Sequence, residues 1–300
     1  MKIGLILHGG KKGADEMLSQ FHTVFGKFNV ISGKTCKHGE AEQLAKVMAE
    51  FGVNAVVVCG GDGSLNQAVN GILQSKKPGT PLAIWPCGTA NDFVKTLEVP
   101  NSLVALKKAI ENARFRAVDV AEIKRNDEKK SYFINVTDVG LGGGVARDMQ
   151  RSKRRLGAFI TYQLLIIKQL ILYRKKRVTF SIDGKTHTER VMNFVVANTK
   201  YFGSGLGISP DSDPFDGRLE VVVIGDIGLL DYFRFISKVR RCEKIDYHKI
   251  HYFSGKKIGI ETEVPMPIDM DGEFIGDSPL QIELNSKIQL VVDLEVSSKC

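Results

Sequence analysis

The residues that point most directly to chemistry are glycines and one acid at the end of an apolar run. Residues 60–66 read Gly-Gly-Asp-Gly-Ser-Leu-Asn, after an apolar run at 55–59 and before residues with helical spacing. Such a run is typical of a buried parallel strand, and glycines at a helix start let backbone N–H groups approach a phosphate. Asp62 would repel that anion unless a magnesium ion or a ribose hydroxyl is also bound. The pattern therefore predicts nucleotide chemistry.

A second polar loop follows the next predicted strand, residues 81–86. Residues 88–93 read Gly-Thr-Ala-Asn-Asp-Phe, so Thr89 and Asn91 offer hydrogen-bonding groups and Asp92 a second carboxylate. Alternatively, Thr89 or Asn91 only caps a short helix at 92–97. Because ligands bind beyond the carboxyl ends of parallel strands, the neighbouring first loop favours a functional interpretation.

An acidic stretch at 267–273 indicates where a general base is expected. Strand alternation would point Asp269, Asp271 and Glu273 to one side. That crowding is costly unless a metal or substrate offsets it, or one acid is protonated. Alternatively, Asp271 and Gly272 form only the turn of a hairpin.

Two further segments have alternative interpretations. The loop at 209–218 carries Asp211, Asp213 and Asp216, which suits an oxygen-rich cation site, although a solvated loop is favoured on the residues alone. The apolar helix predicted at 156–173 is flanked by basic residues at 151–155 and 174–177. It is either a core helix beside solvated charges or a membrane-facing patch, where each basic residue contributes about 1 kcal/mol.

Composition narrows the class of protein. The 300 residues carry a net charge of +8, which favours an anionic partner. The five cysteines form no CxxC pair, which argues against a zinc site or a disulfide framework and indicates a reducing, cytoplasmic compartment. No stretch is apolar enough to predict a membrane span. No nucleic-acid-binding motif is present, so the charge is assigned to nucleotide and to an anionic membrane surface.

The order of elements predicts two domains. Residues 1–115 alternate strand-like and helix-like segments, which predicts an α/β domain with a doubly wound parallel sheet. Residues 116–300 contain many short strands and turn dipeptides, which predicts a mainly antiparallel β-sandwich. We expect the active site in a cleft between the domains, and the last strand is expected to return towards the first domain.

The motifs at 60–66, 88–93, 216–220 and 271–273 fall in the order seen in the diacylglycerol kinase catalytic family. The chain resembles the soluble bacterial lipid kinases of that family over nearly its whole length. The resemblance implies that ATP and Mg²⁺ are bound and that phosphate is transferred to a lipid hydroxyl, most simply from ATP to diacylglycerol to give phosphatidic acid. A peripheral membrane association is expected from the basic residues beside the apolar helix at 156–173, and a homodimer is left open.

The resemblance assigns roles to individual residues. Glu273 would be the base, and Asp62 would lie near the magnesium. Asp271, close to Glu273 in the sequence, would be a further catalytic acid. A structural magnesium site would be formed by Asp213, Asp216 and the backbone carbonyl of Arg218. The nucleotide would be held by the loop residues Gly9, Gly10, Thr35, Gly60, Gly61, Asp62, Gly63, Ser64, Asn66, Gln67, Gly88, Thr89, Asn91 and Asp92.

Two departures and two alternatives remain. Residues 8–12 read His-Gly-Gly-Lys-Lys where relatives carry an Asn-Pro…Gly pattern, and Ser64 replaces the commoner Thr. NAD kinases share the Gly-Gly-Asp-Gly motif, so an NAD kinase-like phosphotransferase is one alternative. A non-catalytic nucleotide- or lipid-binding regulator is the other.

Overall fold

The computed structural model describes residues 1–9, 13–125, 130–152 and 157–292, and its chain divides into two compact units. The first unit comprises Met1–Val118 together with the C-terminal residues from Lys287. The second unit comprises Asp119–Ser286. The predicted fold class is confirmed: an α/β parallel-sheet domain comes first and an antiparallel β-sandwich-like domain follows.

The first unit is built on parallel strands in the order β2-β1-β3-β4. Its β3 is buried along its whole length, as its apolar sequence requires. Helices α2 and α3 pack closely because Gly71 has no side chain: a Cβ there would lie 2.1 Å from the Glu42 carbonyl oxygen. The elements are β1 (Lys2–His8), α1 (Ala14–Phe25), β2 (Asn29–Thr35), α2 (Glu40–Phe51), β3 (Ala55–Gly60), α3 (Asp62–Leu73), β4 (Leu82–Pro86), α4 (Phe93–Thr96) and α5 (Leu103–Glu111).

The second unit contains more strands than helices, and the long strands β5 and β18 each have residues in both units. The elements are β5 (Phe115–Arg125), β6 (Lys130–Phe133), β7 (Val136–Gly140), α6 (Leu141–Arg151), α7 (Ala158–Leu172), β8 (Lys176–Ile182), β9 (Lys185–Val191), β10 (Asn193–Ala197), β11 (Tyr201–Phe202), β12 (Leu206–Gly207), β13 (Leu219–Ile224), α8 (Leu229–Arg240), β14 (Ile250–Gly255), β15 (Lys257–Thr262), β16 (Pro267–Met270), β17 (Glu273–Asp277) and β18 (Leu280–Val291).

Two antiparallel layers enclose the core of the second unit. One is a six-stranded sheet in the order β14-β13-β10-β7-β16-β17, and the other includes β18, β15, β8 and β9. Phe133, Phe180 and Phe194 are completely or almost completely buried in the shared core. Inward-facing apolar residues on alternating positions explain why these short strands pack as layers.

The element boundaries differ from the sequence prediction at several points. Among the short strands expected in residues 116–300, the sequence favours continuous strands at 130–139 and 188–198, and the structure breaks each in two, around residues 134–135 and at Met192. Helices α5 and α6 and strand β17 were not predicted. Helix α7 has 15 residues, and among the described parts of the chain no helix is long and apolar enough to cross a membrane.

Candidate functional site

The two predicted nucleotide loops are joined through Asp62. Its carboxylate accepts the backbone N–H groups of Asp92 and Phe93, each at 3.0 Å. These N–H groups lie at the start of α4, which has no side-chain cap of its own. Asp62 therefore caps a helix that begins 31 residues further along the chain, and the alternative in which Thr89 or Asn91 caps that helix is wrong.

The backbones of the two loops touch at a pair of glycines. A Cβ on Gly88 would lie 2.5 Å from the Cα of Gly61, so no larger residue fits there without a shift. Asn91, at φ 48°, holds the second loop. Its Oδ1 accepts the Gly88 N–H at 3.0 Å, and its Nδ2 donates to the Gly88 carbonyl at 3.1 Å. Because these residues are glycines, no side chain covers the backbone where the two loops touch, at the carboxyl ends of β3 and β4.

The start of α3 offers donors to an anion. Its N-cap residue, Gly61, has no side-chain cap, and the first hydrogen bond inside the helix is from the Leu65 N–H to the Gly61 carbonyl. The N–H groups of residues 62–64 therefore have no partner within the 12-residue helix. Aligned peptide dipoles favour negative charge at this end. The backbone here fits the phosphates of a nucleotide.

Residues of β1 and β2 lie side by side at the same edge of the sheet. His8 is paired with Thr35 in the parallel register, and the Gly9 N–H donates to the Thr35 carbonyl at 2.8 Å. Thr35 is buried, and its hydroxyl donates to the Leu7 carbonyl at 3.3 Å. Gly10, the other predicted contact, lies outside the described residues.

The remaining predicted nucleotide residues differ in what their side chains do. Asn66 is buried and accepts from Asn70 within α3 at 3.2 Å, so its amide is engaged inside the helix. The Oε1 of Gln67 accepts the Gly39 N–H at 3.1 Å and thereby holds the loop before α2. Thr89 is exposed. Asp92 is buried and forms an ion pair with Lys95 at 2.6 Å.

The electrostatics of Asp62 bear on a magnesium ion. Burial raises the pKa of Asp62, and the two backbone N–H bonds oppose that rise. Both carboxylate oxygens already accept an N–H, although each keeps a further lone pair for a cation. Among the described residues, no group of three or more His, Cys, Asp or Glu side chains is arranged to hold a metal ion. The assignment of Asp62 to magnesium stays a prediction.

The acidic stretch at 267–273 is a tight hairpin. Asp271 and Gly272 have φ angles of 49° and 89° and connect β16 to β17, which is typical of a type I′ turn. The predicted alternation of Asp269, Asp271 and Glu273 along one strand is therefore wrong. Glu273 begins β17 opposite Met270 and is partly exposed.

Asp271 holds the backbone of the strand region next to this hairpin. Its carboxylate accepts the N–H groups of Ile134 and Asn135 at 3.0 Å and of Val136 at 2.9 Å. A buried carboxylate with three such bonds fixes the position of the turn. Asp271 thus has a demonstrated structural role beside the predicted base.

A buried pair of acids next to the hairpin was missed by the sequence analysis. Asp138 on β7 is directly opposite Asp269 on β16, and both side chains are buried. Burial raises the pKa of Asp138 to about 7 and that of Asp269 well above its usual range, and the charge of Asp138 adds to the effect on Asp269. The pair therefore retains a proton near neutral pH.

The surroundings of Asp138 explain its unusual state. Among the described residues, no donor forms a well-aligned hydrogen bond with either of its carboxylate oxygens. A Cβ on Gly142 would lie 2.2 Å from one of these oxygens, so the carboxylate occupies the space that a side chain would fill. One sequence signal could have identified it: a lone acid in the apolar run 136–140, followed by Leu-Gly-Gly-Gly.

The predicted structural magnesium loop forms turns stabilised by its own aspartates. Asp213 accepts the Phe215 N–H at 3.0 Å, and Asp216 accepts the Arg218 N–H at 2.8 Å. The donor set of two carboxylates and the Arg218 carbonyl contains only oxygen, as a hard cation prefers. These residues fit magnesium chemically, and the assignment remains a prediction.

A largely apolar cavity lies inside the second unit. Its volume is about 130 Å³. Helices α6, α7 and α8 and strands of the six-stranded sheet surround it. Its lining consists of Leu141, Gly142, Val145, Tyr162, Ile166, Leu170, Met192, Asn193, Phe202, Leu206, Ile208, Ile224, Ile227, Asp231, Tyr232, Phe235, Ile236, Val239, Ile245 and Ile250.

The helices that line this cavity also carry exposed apolar side chains. The exposed apolar side chains are Ile160, Leu164, Ile171 and Leu172 on α7, and Leu230 and Phe233 on α8. Part of the predicted basic patch is neutralised, since Lys175 pairs with Asp226 and Arg177 with Glu263. Residues 153–155 of that patch lie outside the described residues.

Two protein-family models match this chain, one for each part. Residues 2–123 match the diacylglycerol kinase catalytic domain. Residues 135–292 match the YegS C-terminal NAD kinase beta sandwich-like domain. Together the two matches cover nearly the whole chain in the order expected from its motifs.

Individual proteins are similar over most of their length. "Diacylglycerol kinase" of Bacillus subtilis (strain 168) is 25% identical over 98% of both chains. "Putative lipid kinase" of Staphylococcus epidermidis (strain ATCC 12228) is 29% identical over 81% of this chain and 78% of that protein. Among solved structures, "a putative diacylglycerol kinase from Bacillus anthracis str. Sterne" is 26% identical with a TM-score of 0.78 over 98% of both chains.

Proposed function

Because the chain belongs to the diacylglycerol kinase catalytic-domain family, whose members are phosphotransferases with an alcohol acceptor, we propose that it transfers a phosphate from ATP to the hydroxyl of a membrane lipid. Diacylglycerol is the acceptor we favour, with phosphatidic acid as product. The names of the relatives support this acceptor class.

The apolar cavity is the observation that carries the proposal. A cavity of about 130 Å³ with an almost entirely apolar lining is suited to part of a hydrocarbon chain. Each buried methylene would contribute about 0.8 kcal/mol. The dinucleotide acceptor of an NAD kinase is charged and polar, and burying it among these side chains would leave its polar groups without partners.

The residues of the first unit have definable tasks in this reaction. The N–H groups at the start of α3 would bind phosphate oxygens, and the contact of Gly61 with Gly88 keeps side chains away from them. Magnesium, which Asp62 would help to hold, would supply neutralising charge to the phosphates. Asp62 also fixes the second loop through the N–H groups of Asp92 and Phe93.

The residues of the second unit would prepare the acceptor. We assign to Glu273 the removal of the proton from the lipid hydroxyl. Asp271 holds the turn from which Glu273 begins, through its three backbone bonds. The buried Asp138–Asp269 pair lies on the neighbouring strands β7 and β16, and β16 leads into this turn.

Membrane contact would explain the exposed apolar residues of α7 and α8. Leu230 is 87% exposed and Phe233 61% exposed on a helix whose other side lines the cavity. We propose that this face enters the bilayer surface, where the acceptor lipid resides.

Vesicle sedimentation tests this contact. The double substitution Leu230→Ser with Phe233→Ser should weaken binding to anionic vesicles at least about tenfold, since each side chain contributes roughly 1.5–3 kcal/mol on burial. Val47→Ser with Phe51→Ser, on the exposed side of α2 in the first unit, is the matched control. Equal binding by both variants would contradict a role of α8.

Partial filling of the cavity tests the acyl-chain site. Val239 on α8 lines the cavity, and Val239→Phe should lower kcat/KM for long-chain diacylglycerol at least about tenfold while short-chain acceptors are affected less. Val47→Phe, at a residue 64% exposed on α2, is the control. An equal effect of Val239→Phe on every chain length would argue against acyl binding there.

A further inference from the structure

Two cysteine side chains lie close together at the base of the two nucleotide loops. The Sγ atoms of Cys59 and Cys87 are 2.9 Å apart, and both residues are thiols. Cys59 is next to last in β3, and Cys87 directly follows the neighbouring parallel strand β4. The N–H groups of Cys87 and Gly88 both donate to the Gly60 carbonyl, at 2.8 and 3.1 Å. The backbone thus holds the two thiols side by side.

Only a small movement separates this arrangement from a disulfide. A disulfide bond is about 2.05 Å long, so the sulfur atoms would approach each other by roughly 0.9 Å. Cys87 is partly exposed and Cys59 is 4% exposed, so an oxidant would reach Cys87 first. A buried partner so close to an accessible thiol is the arrangement needed for rapid resolution of a mixed disulfide.

We propose that Cys59 and Cys87 form a reversible dithiol–disulfide site that slows the kinase when oxidised. With a low-molecular-weight disulfide such as oxidised glutathione, the Cys87 thiolate attacks one sulfur, forms a mixed disulfide and releases one thiol. The Cys59 thiolate then attacks the Cys87 sulfur, forms the Cys59–Cys87 bond and releases the second thiol. The two protein thiols lose two electrons to the oxidant, and their two protons pass to the released thiols.

The effect on activity follows from the position of the bond and rests on the proposed function. Gly60 and Gly61 directly follow Cys59, and Gly88 directly follows Cys87. A cross-link at this point displaces both loops together. A misplacement of about 1 Å can cost on the order of a hundredfold in rate when groups must be aligned for transfer, so we expect at least a tenfold fall in turnover.

The test exposes the full chain to defined ratios of oxidised and reduced glutathione. Peptide mapping by mass spectrometry without reduction reports the Cys59–Cys87 linkage directly. Fluorescence of Trp85, the single tryptophan and the residue opposite Cys59 on β4, reports it in solution. Cys87→Ser should abolish both signals, and Cys36→Ser should leave both intact. Thermal unfolding of the reduced proteins checks that Cys87→Ser folds. Cys59→Ala, which removes the other thiol, is the second variant and should also abolish both signals.

The expected result is a Cys59–Cys87 linkage that dithiothreitol reverses, with turnover lowered at least tenfold in the parent chain and unchanged in Cys87→Ser. Failure to find the linkage at strongly oxidising ratios would overturn the proposal, and so would a linked protein with full turnover. If neither redox state transfers phosphate to any acceptor, the proposed function fails, whereas the mass spectrum still decides whether the thiol pair forms the bond.

Discussion

Asp62 shows how one residue can connect two loops that the sequence presents separately. Its side chain accepts two backbone N–H groups about thirty residues further along the chain. The sequence indicated an acid at a phosphate loop but not its partners, because that pairing depends on the adjacency of β3 and β4. The same holds for Cys59 and Cys87, whose proximity follows from strand neighbours.

Asp62→Asn is expected to reduce both stability and activity. An amide has only one acceptor oxygen, so one of the two hydrogen bonds from the backbone N–H groups is lost. The NH₂ group then faces the N–H that has lost its acceptor, and two donors oppose each other. The free energy of unfolding should fall by about 1–3 kcal/mol, and each kcal/mol lowers the melting temperature by roughly 2–4 °C. Calorimetry and a transfer assay measure the two effects. An unchanged melting temperature would contradict the loop contact.

Glu273→Gln is the comparison that separates chemistry from folding. Glu273 is partly exposed at the start of β17, so the melting temperature of the variant should stay within about 1 °C of that of the parent protein. The proton acceptor is lost, and turnover should fall on the order of 10²–10⁴-fold. Near-parental turnover would show that another group accepts the proton.

At the scale of elements, local patterns predicted the parallel strands well and the acidic hairpin poorly. The apolar run before Gly60 and the glycines after it are sufficient to define a strand, a turn and a helix. In residues 267–273, two local rules competed, since alternation favours a strand and Asp271-Gly272 favours a turn. The turn is formed because Asp271 also binds three backbone N–H groups of residues 134–136, which no local rule contains.

The Asp138–Asp269 pair predicts an unusual pH dependence of stability. The folded-state pKa of Asp138, about 7, lies above the ordinary value of about 3.9. The folded chain therefore binds a proton that the unfolded chain releases, so the contribution of this pair to stability is greatest at low pH and declines from about pH 4 to pH 7.

Asp138→Asn removes that titration. Relative to the parent, the variant should gain on the order of 2 kcal/mol between pH 5 and pH 8, since each pKa unit corresponds to about 1.4 kcal/mol. Urea unfolding at the two pH values measures the gain. Asp246→Asn, at an exposed position, is the control and should show no such change. An equal response of both variants to pH would contradict the raised pKa.

At the scale of the whole molecule, the two units have different chemical character. The first presents backbone donors at strand ends, and the second contains acids at a hairpin and an apolar cavity. Composition predicted an anionic partner and the order of motifs predicted the family. The cavity was not predictable, because it is formed by side chains that lie far apart in the sequence and look individually like ordinary core residues.

If this chain phosphorylates a lipid, label must pass from the γ-phosphate of ATP to the lipid hydroxyl. The most direct measurement supplies γ-labelled ATP and magnesium together with diacylglycerol in anionic vesicles, and in a parallel reaction with NAD. We expect labelled phosphatidic acid from the parent chain, almost none from Glu273→Gln, and no labelled NADP from either. Label on NAD, or nucleotide that binds and is never turned over with any lipid, would contradict it.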